Sequence, residues 1–470
     1  KIIIDKKRNP YLAVIYADND ANIKNEGNII TDGDVNIEVG GTYTIGTTVD
    51  KTFGKLTGNN INLDGNLVVT TAMAKGSYEN SYKLDNMIEG ENITLGDSYK
   101  NFSDSLLYDL EVSKDKDGNL DGELTRNENN IADFTSNNFS QVGKIFDKYL
   151  AKENYEKLSK EDKELVDKIF TSTSSSNKVE EAIEKVAGRE YLNISRQIFN
   201  IKDSFKKYDS SVISTLGKYD CNFILIGEYG NINSKDGVVG YDSKMTGFNG
   251  AFKLSDSLFG TIGYGYSDID YDKGAEGNIQ TIHGGIYKDY AYNKSNIRLG
   301  IFGEYNFHET DRENLFGNAN VDFNSYLVGV TGEISKKYGD SLYIQPKLSL
   351  DIAYGNVEKF DENNSLEIKE QDYTSVLPKV EIILGKNLNN VELFAKSSYS
   401  YELGDLDKDM EISLLNENIK VKNDTMDKGN LNLSVGTEVN FDSLSLTAEL
   451  GKEFGKRDRE YVKAGFSYKF

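Results

Sequence analysis

The last ten residues, Tyr461-Val-Lys-Ala-Gly-Phe-Ser-Tyr-Lys-Phe470, alternate apolar and polar side chains up to a terminal aromatic. Successive side chains of a strand point to opposite faces, so Phe466, Tyr468 and Phe470 share one face. A single strand of a soluble protein has the same pattern. The alternation recurs about a dozen times from Cys221 onward, however, and repeated segments of roughly ten alternating residues are typical of a transmembrane β-barrel.

Only one face of each predicted strand has the side chains to contact lipid. From Ile297 onward, Leu299 and Ile301 alternate with polar or small residues. The clearest strands are predicted at Ser257–Tyr266, Ile297–Phe307, Leu342–Tyr354, Val391–Tyr401, Leu431–Phe441, Leu444–Leu450 and Tyr461–Phe470. A proline in a strand gives up a ladder hydrogen bond, so Pro346 counts against the limits of the strand that contains it.

The connections between these strands alternate in length. The short ones are Leu254–Leu258, Tyr292–Asn296, Lys337–Asp340 and Asn440–Ser443. The long ones are acidic and lie at Asn231–Gly240, Asp268–Asn278, Glu309–Asn320, Asn356–Asp372 and Gly404–Gly429. Short turns at one end and long loops at the other characterise bacterial outer-membrane barrels. Counting hairpins predicts about twelve antiparallel strands, with both ends of the barrel on the short-turn side.

Composition excludes several classes of function. The formal net charge is −22, with 76 acidic and 54 basic residues, which argues against nucleic acid as a partner because such binding depends on Lys and Arg. The sequence contains no run of about 18 apolar residues, so it predicts no transmembrane helix. Cys221 is the single cysteine, so no intrachain disulfide can form. With only His283 and His308 available, we expect no metal site and no cofactor.

The first quarter of the chain predicts a different β structure. From about Ala21 to Leu124 it is rich in Asn, Asp, Gly and β-branched residues, in short runs such as Gly27–Thr31 and Gly65–Thr70. Turn residues bound each run, which is typical of short strands. The runs favour a few rungs of a β-solenoid. An ordinary β-sandwich remains an alternative.

A hairpin is predicted at the end of this region. Leu106–Val112 and Asn119–Thr125 flank Asp117-Gly118, a dipeptide suited to a tight turn. The same stretch partly fits an EF-hand calcium loop. Its first ligand position would be Ser113 and its twelfth Leu124, where a bidentate glutamate is needed, so the hairpin is favoured.

Between Asn138 and Leu216 the apolar period changes from two to 3.6, which predicts amphipathic helices. Ser159 followed by Asp162, and Asn177 followed by Glu180, are typical of helix starts. The predicted last helix spans about Val179–Leu216 and is too polar to face lipid. Its apolar positions include Leu192, Ile198, Phe199, Phe205 and Leu216.

Three features in this order resemble the C-terminal part of monomeric bacterial autotransporters, the type V secretion family. They are Asn138-Phe-Ser-Gln-Val-Gly-Lys-Ile-Phe-Asp147, then Val179-Glu-Glu-Ala-Ile-Glu-Lys-Val-Ala-Gly-Arg-Glu-Tyr191, then the barrel that ends in Phe470. In that family a similar Gln-containing helix and a Gly-Glu step precede a helix that threads a twelve-stranded barrel. Here Arg189 separates the Gly and Glu of that step. The resemblance covers roughly residues 138–470.

The resemblance implies an outer-membrane translocator that carries its passenger to the cell surface. It divides the chain into a passenger end at 1–130, a helical linker at 131–219 with a pore-threading helix at about 179–216, and a barrel at 220–470. It also implies that Phe466, Tyr468 and Phe470 form the signal for barrel assembly. The expected partners are outer-membrane lipid, the barrel-assembly machinery and the protein's own passenger, with a monomeric barrel and an unknown surface ligand.

Several alternatives stay open. The last helix could pack on the periplasmic rim instead of inside the pore. A porin would lack both the helical segment and the β-rich start, whereas an adhesin is compatible with translocation. His308 lies near Glu304 and Asp311 at the long-loop end of a strand, which resembles outer-membrane barrel hydrolases. A polar lumen or rim residue is the favoured explanation.

No catalytic role is expected for this chain. It contains no G-x-S-x-G motif, and its serines lack a plausible base. Any protease or other activity would reside in passenger residues absent from the chain. Lys1–Asp5 lacks the zones of a secretory signal, so we expect a longer precursor.

Overall fold

The computed structural model describes residues 2–4, 15–17, 22–31, 33–37, 40–216, 220–234, 238–362, 366–423, 428–455 and 458–468. The chain divides into two compact units, Lys1–Glu184 and Lys185–Phe470. Among the described residues, every helix is too short or too polar to cross a lipid bilayer.

The first unit is built mainly from two sheets of parallel strands. Its strands are β1 Ile2–Ile4, β2 Ile15–Ala17, β3 Asn22–Asn25, β4 Asn28–Thr31, β5 Val35–Ile37, β6 Thr42–Ile45, β7 Lys55–Leu63, β8 Asn66–Val69, β9 Ser81–Leu95, β10 Lys100–Ser103, β11 Tyr108–Lys114 and β12 Leu120–Arg126. From β6 to β10 successive strands fall alternately in the two sheets, and each pairs in parallel with the strand one coil away. This is the stacking of a short solenoid, as the sequence predicts.

The hairpin predicted around Asp117-Gly118 is confirmed. Strands β11 and β12 are antiparallel, and Gly118 has a φ of 91°, a left-handed conformation that glycine adopts without strain. The Asp115 carboxylate accepts the backbone N–H groups of Asp117 and Asn119, both at 2.8 Å. That carboxylate therefore stabilises its own turn.

Five helices follow. They are α1 Ser140–Tyr149, α2 Lys152–Tyr155, α3 Lys160–Ser172, α4 Ser176–Val186 and α5 Ile194–Thr215. The cap predicted at Ser159 is confirmed, since its hydroxyl accepts the Asp162 N–H at 3.1 Å. The start predicted at Asn177 is wrong, because α4 already begins at Ser176.

The expectation of one helix over Val179–Leu216 is also wrong. The helical conformation ends after α4, at Gly188, whose φ of 66° is left-handed. A 3₁₀ turn at Arg189–Asn193 follows before α5 begins. A left-handed residue ends a helix because the next N–H groups turn back towards its last carbonyls. The apolar period runs across this break, which is why it is hard to recognise in the sequence.

The second unit contains a closed barrel of twelve strands. They are β13 Cys221–Ile232, β14 Tyr241–Ser255, β15 Leu258–Tyr271, β16 Glu276–Tyr292, β17 Ser295–Asn314, β18 Gly317–Ser335, β19 Leu342–Val357, β22 Gln371–Leu388, β23 Val391–Tyr401, β26 Gly429–Asn440, β27 Leu444–Gly455 and β28 Asp458–Tyr468. Neighbours are antiparallel, and β28 closes on β13 from Cys221↔Tyr468 to Asn231↔Asp458. Closure leaves no unpaired strand edge, as lipid requires.

Two predicted loops are instead mostly strand. Asp268–Asn278 and Glu309–Asn320 extend the neighbouring ladders, and β17 and β18 remain paired as far as Asn314↔Gly317. Their outward residues, such as Asp268 and Asn320, are polar, whereas inward residues such as Ile269 and Val321 are apolar and buried. The outward apolar alternation that identified the membrane strands is therefore lost there. The backbone ladder does not need it.

The two longest loops are structured as well. Within 356–372 and 404–429 lie β20 Phe360–Glu362, β21 Leu366–Ile368, β24 Met410–Leu414 and β25 Glu417–Val421, which form a four-stranded sheet of their own. Ile368, Ile412 and Leu414 are buried in it. Pro346 lies within β19, just before the pairing with β18 that begins at Lys347.

Burial in the barrel is the reverse of that in a soluble protein. On β28 the outward Val462 and Phe466 are 50% and 47% exposed, whereas the inward Lys463 and Ser467 are 2% and 0% exposed. An apolar exterior around a polar interior is stable only if lipid surrounds the barrel. The sequence predicts which side chains of the last strand point outward and which point inward, and this is confirmed over residues 462–468.

Candidate functional site: the barrel lumen and its helix

Helix α5 lies inside the barrel. Its side chains bond to inward-facing residues all around the wall: Ser204 to Glu228 on β13, Asp209 to Asn249 on β14 and to His283 on β16, Ser210 to Lys347 on β19, Lys202 to Ser375 on β22 and Ser211 to Lys463 on β28. A helix that reaches strands on every side of a closed barrel must occupy its lumen.

The lumen has an apolar side, and the helix turns its apolar face towards it. Phe205 and Val212 belong to a buried cluster with Ile224 on β13 and with Met245 and Ala251 on β14. The polar lumen expected from the sequence therefore holds for only part of the wall. The fit is amphipathic, so the position of the helix about its own axis is fixed by the hydrophobic effect as well as by polar bonds.

Glycines of the wall make room for aromatic rings of the helix. A Cβ atom on Gly263 of β15 would lie 2.6 Å from the Phe205 ring, and one on Gly355 of β19 would lie 3.1 Å from the ring of Phe199. Contacts this short force a neighbour to move. These glycines therefore form recesses that only the missing side chain allows.

A buried polar cluster surrounds Asp209 in the C-terminal half of α5. One carboxylate oxygen lies 2.8 Å from Nε2 of His283 and also accepts from the Tyr287 hydroxyl, while Nδ1 of His283 lies 3.1 Å from a Glu304 oxygen. The Phe205 ring stacks on the imidazole with 4.7 Å between centroids. Both ring nitrogens thus face carboxylates, an arrangement that a doubly protonated imidazolium satisfies because it donates from both.

A second cluster joins the helix to the seam where the barrel closes. Arg459 of β28 bonds to Glu228 of β13 at 2.6 Å and to Glu453 of β27. From the helix, Ser204 donates to Glu228 at 2.9 Å, and the Tyr208 hydroxyl donates to the same carboxylate. The first strand, the last two strands and the helix therefore share one hydrogen-bonded network.

The short-turn half of the lumen is not filled by α5. A cavity of ≈ 640 Å³ lies beside its polar face. Its wall carries ion pairs such as Lys347–Glu381 at 3.2 Å and Lys396–Glu449 at 2.7 Å, and Lys463 reaches the same Glu449 at 2.7 Å. A wall of this composition suits water rather than lipid or a packed core.

The residues predicted for the pore-threading helix are all buried: Leu192, Ile198, Phe199, Phe205 and Leu216. Leu192 belongs to the 3₁₀ turn before α5, and Leu216 follows its last residue. Ile198, Phe199 and Phe205 lie on the helix itself.

The residues predicted as the assembly signal lie on the other face of the wall. Phe466 and Tyr468 point outward from β28 and are exposed. The Phe466 ring lies 5.9 Å from that of Phe223, its partner across the seam. Phe470 falls outside the described residues.

His308 does not form the expected group with Glu304 and Asp311. Its Nε2 lies 2.8 Å from the Ser325 hydroxyl, and its ring stacks on Phe323. Glu304 bonds to His283 instead, and Asp311 points outward. The structure does bring a serine and a histidine together, but both are buried in the wall.

Sequence reasoning missed the ionisable residues that join the helix to the wall. Asp209 lies on the helix, and Glu228, His283 and Arg459 lie on the wall. One signal was available. Each of the three wall residues occupies an inward position of a barrel strand, where a charge is costly unless it is paired.

Comparison with known families separates the two parts of the chain. Residues 225–451 match the family described as autotransporter beta-domain, and residues 42–128 match the family described as BigA beta sandwich domain. The second description names the β-sandwich that the sequence left as the alternative, whereas the structure pairs β6 to β10 in parallel, as the coils of a solenoid do.

One curated relative is "Putative surface-exposed virulence protein BigA" of Salmonella typhimurium (strain LT2), which is 21% identical over 367 residues. The alignment covers 74% of this chain but only 18% of that relative. Among solved structures, the translocator domain of autotransporter NalP from Neisseria meningitidis has a TM-score of 0.47 at 14% identity, covering 58% of this chain and 98% of that one. The β-domain of the Bordetella autotransporter BrkA has a TM-score of 0.43 at 15% identity, covering 54% and 100%.

A closed barrel with an apolar exterior, a partly polar lumen and a helix held in that lumen is the architecture of a plugged outer-membrane barrel. Residues 225–451 of this barrel match the autotransporter beta-domain, so the barrel is an autotransporter-type outer-membrane translocator. The barrel lies in the outer membrane. The β-domain itself is a translocation module and not an enzyme family.

Proposed function

We propose that α5 is the plug and anchor that remains in the pore after the passenger has crossed the outer membrane. In this proposal residues 1–130 are the end of the passenger, residues 131–219 are the linker and residues 220–470 are the translocator. The observation that carries it is the match between the helix and the wall, in which polar side chains meet polar partners and aromatic rings meet glycine recesses.

The size of the barrel supports this role. A barrel of about eight strands is just filled by its own side chains, and 16–18 strands leave an aqueous channel, so twelve strands leave room for one helix. The alternative of a helix on the periplasmic rim conflicts with bonds from α5 to β19, β22 and β28. A plain porin offers no reason for such a helix.

Conductance tests the plug. The full chain and a variant lacking residues 194–215 are reconstituted in planar bilayers, after a cold-against-boiled gel shift has shown that both barrels are closed. We expect the deletion to raise single-channel conductance severalfold, because the cavity beside α5 would extend through the pore. Equal conductance of the two closed barrels would contradict the plug.

We further propose that the outward aromatics of the last strand, Phe466 and Tyr468 together with Phe470, are recognised by the barrel-assembly machinery and then contact outer-membrane lipid. Aromatic girdles of this kind anchor barrels at the membrane interface. The partner of the surface-exposed part is a ligand of unknown chemistry. The description of BigA as a surface-exposed virulence protein supports an adhesin role for the whole protein.

We also propose that the chain has no enzymatic activity of its own. The Ser325–His308 pair is buried, and a hydrolase would need an orienting partner for the histidine and donors for an oxyanion beside it.

A further inference from the structure

The long-loop end of the barrel holds the chain at the 3₁₀ turn Arg189–Asn193, where the linker enters the lumen. Arg312 of β17 donates to both oxygens of Glu362 from β20, through Nε at 2.7 Å and through Nη2. Its remaining Nη1 donates to the Lys185 carbonyl at 2.7 Å and lies 3.5 Å from a Glu190 oxygen. Arg312, Glu190 and Glu362 are all buried.

An aromatic contact reinforces this group. The Tyr191 ring packs edge-on against Phe360 with 5.0 Å between centroids, and the Tyr191 hydroxyl donates to Glu362 at 3.3 Å. Phe360 and Glu362 both come from β20, so the sheet built by the long loops contacts the turn directly. Gly188 adds to the fit, since a Cβ there would lie 2.5 Å from the Tyr191 ring.

Two other long connections bond to the linker at the same place. Asn423, after β25, donates to the Leu192 carbonyl at 2.9 Å, and Asn193 donates to the Val239 carbonyl at 2.7 Å. Together with β20, these contacts come from three different connections between barrel strands. Each meets the linker within residues 185–193.

These contacts allow only one axial position of the linker. A guanidinium forms two parallel bonds with a carboxylate in a fixed plane. If the linker slid by one helical turn, Glu190 and the Lys185 carbonyl would leave Arg312, and a buried charge would lose partners. Buried charges are tolerated only when they are paired, so such a slide is opposed.

We propose that Arg312 is a positioning residue that stops the linker at one depth in the pore and closes its long-loop end. We call Arg312, Glu362, Glu190 and Tyr191 the outer clasp. This proposal rests on the role of α5 as a plug and adds a second closure, separate from the contacts of α5 deeper in the lumen. It also gives a role to Arg189-Glu190-Tyr191, where this chain departs from the family step.

The test uses two variants of the full chain. Arg312→Met keeps much of the side-chain volume but removes the guanidinium, and Arg312→Lys keeps the charge but not the two parallel bonds. The matched control is Arg298→Met. Arg298 makes the same bidentate bond to Asp289, at 2.7 and 2.9 Å, but near the short turn and between neighbouring strands. Hydrogen exchange followed by mass spectrometry reports each segment of the linker.

For Arg312→Met we expect exchange at residues 186–195 to rise about tenfold or more while residues 204–215 stay protected, and brief open events to appear in bilayer recordings. Arg312→Lys should give a smaller rise. Arg298→Met should change neither readout.

The clasp is wrong if Arg312→Met and Arg298→Met show the same hydrogen exchange at residues 186–195 and the same bilayer current. This holds even if deleting α5 opens the pore. If deleting α5 leaves conductance unchanged, the plug is wrong, and exchange at residues 186–195 still decides on the clasp. Should Arg312→Met fail to give a closed barrel by gel shift, Glu362→Gln, which keeps the shape of the side chain, replaces it under the same expectations.

Discussion

Arg459 on the last barrel strand lies 2.6 Å from Glu228 on the first strand, so an ion pair crosses the seam of the barrel on its lumen side. Both side chains are buried, and the hydroxyls of Ser204 and Tyr208 from α5 contact the same pair. On the lipid side of the same seam, Phe223 stacks on Phe466. Closure of the barrel and seating of the helix are therefore coupled.

Arg459→Met should destabilise the closed barrel by about 3–5 kcal/mol, because it leaves buried carboxylates without their counter-charge. The temperature at which the folded gel band is lost measures this. Adding Glu228→Gln should recover part of the loss. Lys452→Met removes an exposed pair with Glu460 at 2.8 Å between β27 and β28 and should leave that temperature unchanged. Equal effects of the two single variants would argue against the seam network.

Gly263→Val should displace the helix, because its side chain would occupy the recess that holds the Phe205 ring. Overpacking of this kind costs about 1–3 kcal/mol. Hydrogen exchange in residues 200–210 should increase while the barrel stays closed. Gly284→Val is the control, since this glycine is not buried in the lumen and the nearest atom to its Cβ would be 3.6 Å away. Unchanged exchange for Gly263→Val would mean that the recess is not needed.

Deleting Phe470, or replacing it with Asp, should lower the amount of barrel in the outer membrane and leave more periplasmic degradation product. In the sequence Phe470 continues the apolar–polar alternation of Phe466 and Tyr468, and interfacial aromatics anchor barrels. Lys469→Ala, on the other face of the alternation, should have little effect. Immunoblots of outer-membrane fractions measure both, and equal levels would reduce Phe470 to an ordinary lipid-facing residue.

The purified chain should hydrolyse neither peptide nor ester substrates, and His308→Ala should leave this unchanged. His308 bonds to Ser325, but both are buried in the wall beside Phe323, where a substrate has no access. Initial rates with chromogenic esters and peptides, compared with a buffer control, measure this. Hydrolysis that disappears in His308→Ala would instead support a barrel hydrolase.

The sequence predicts the membrane strands well because lipid imposes a strict period. Every second residue of such a strand faces lipid, so the strand predicted at Val391–Tyr401 has the same bounds as β23. Outside the membrane that demand ends. Two parts of the structure therefore look like loops in the sequence. They are the ends of β17 and β18, whose outward faces are polar, and the sheet of β20, β21, β24 and β25.

The sequence by itself determined that the chain has a β-rich start, a helical linker and a barrel of about twelve strands with an apolar exterior, because these follow from periods of two and 3.6 along the chain. Only the tertiary structure decided which lumen residues meet the helix. Asp209 and His283 are 74 positions apart, and Ser204 and Arg459 are 255 apart. Pairings over such distances depend on strand register and on the depth of the helix in the pore, and no local pattern encodes either.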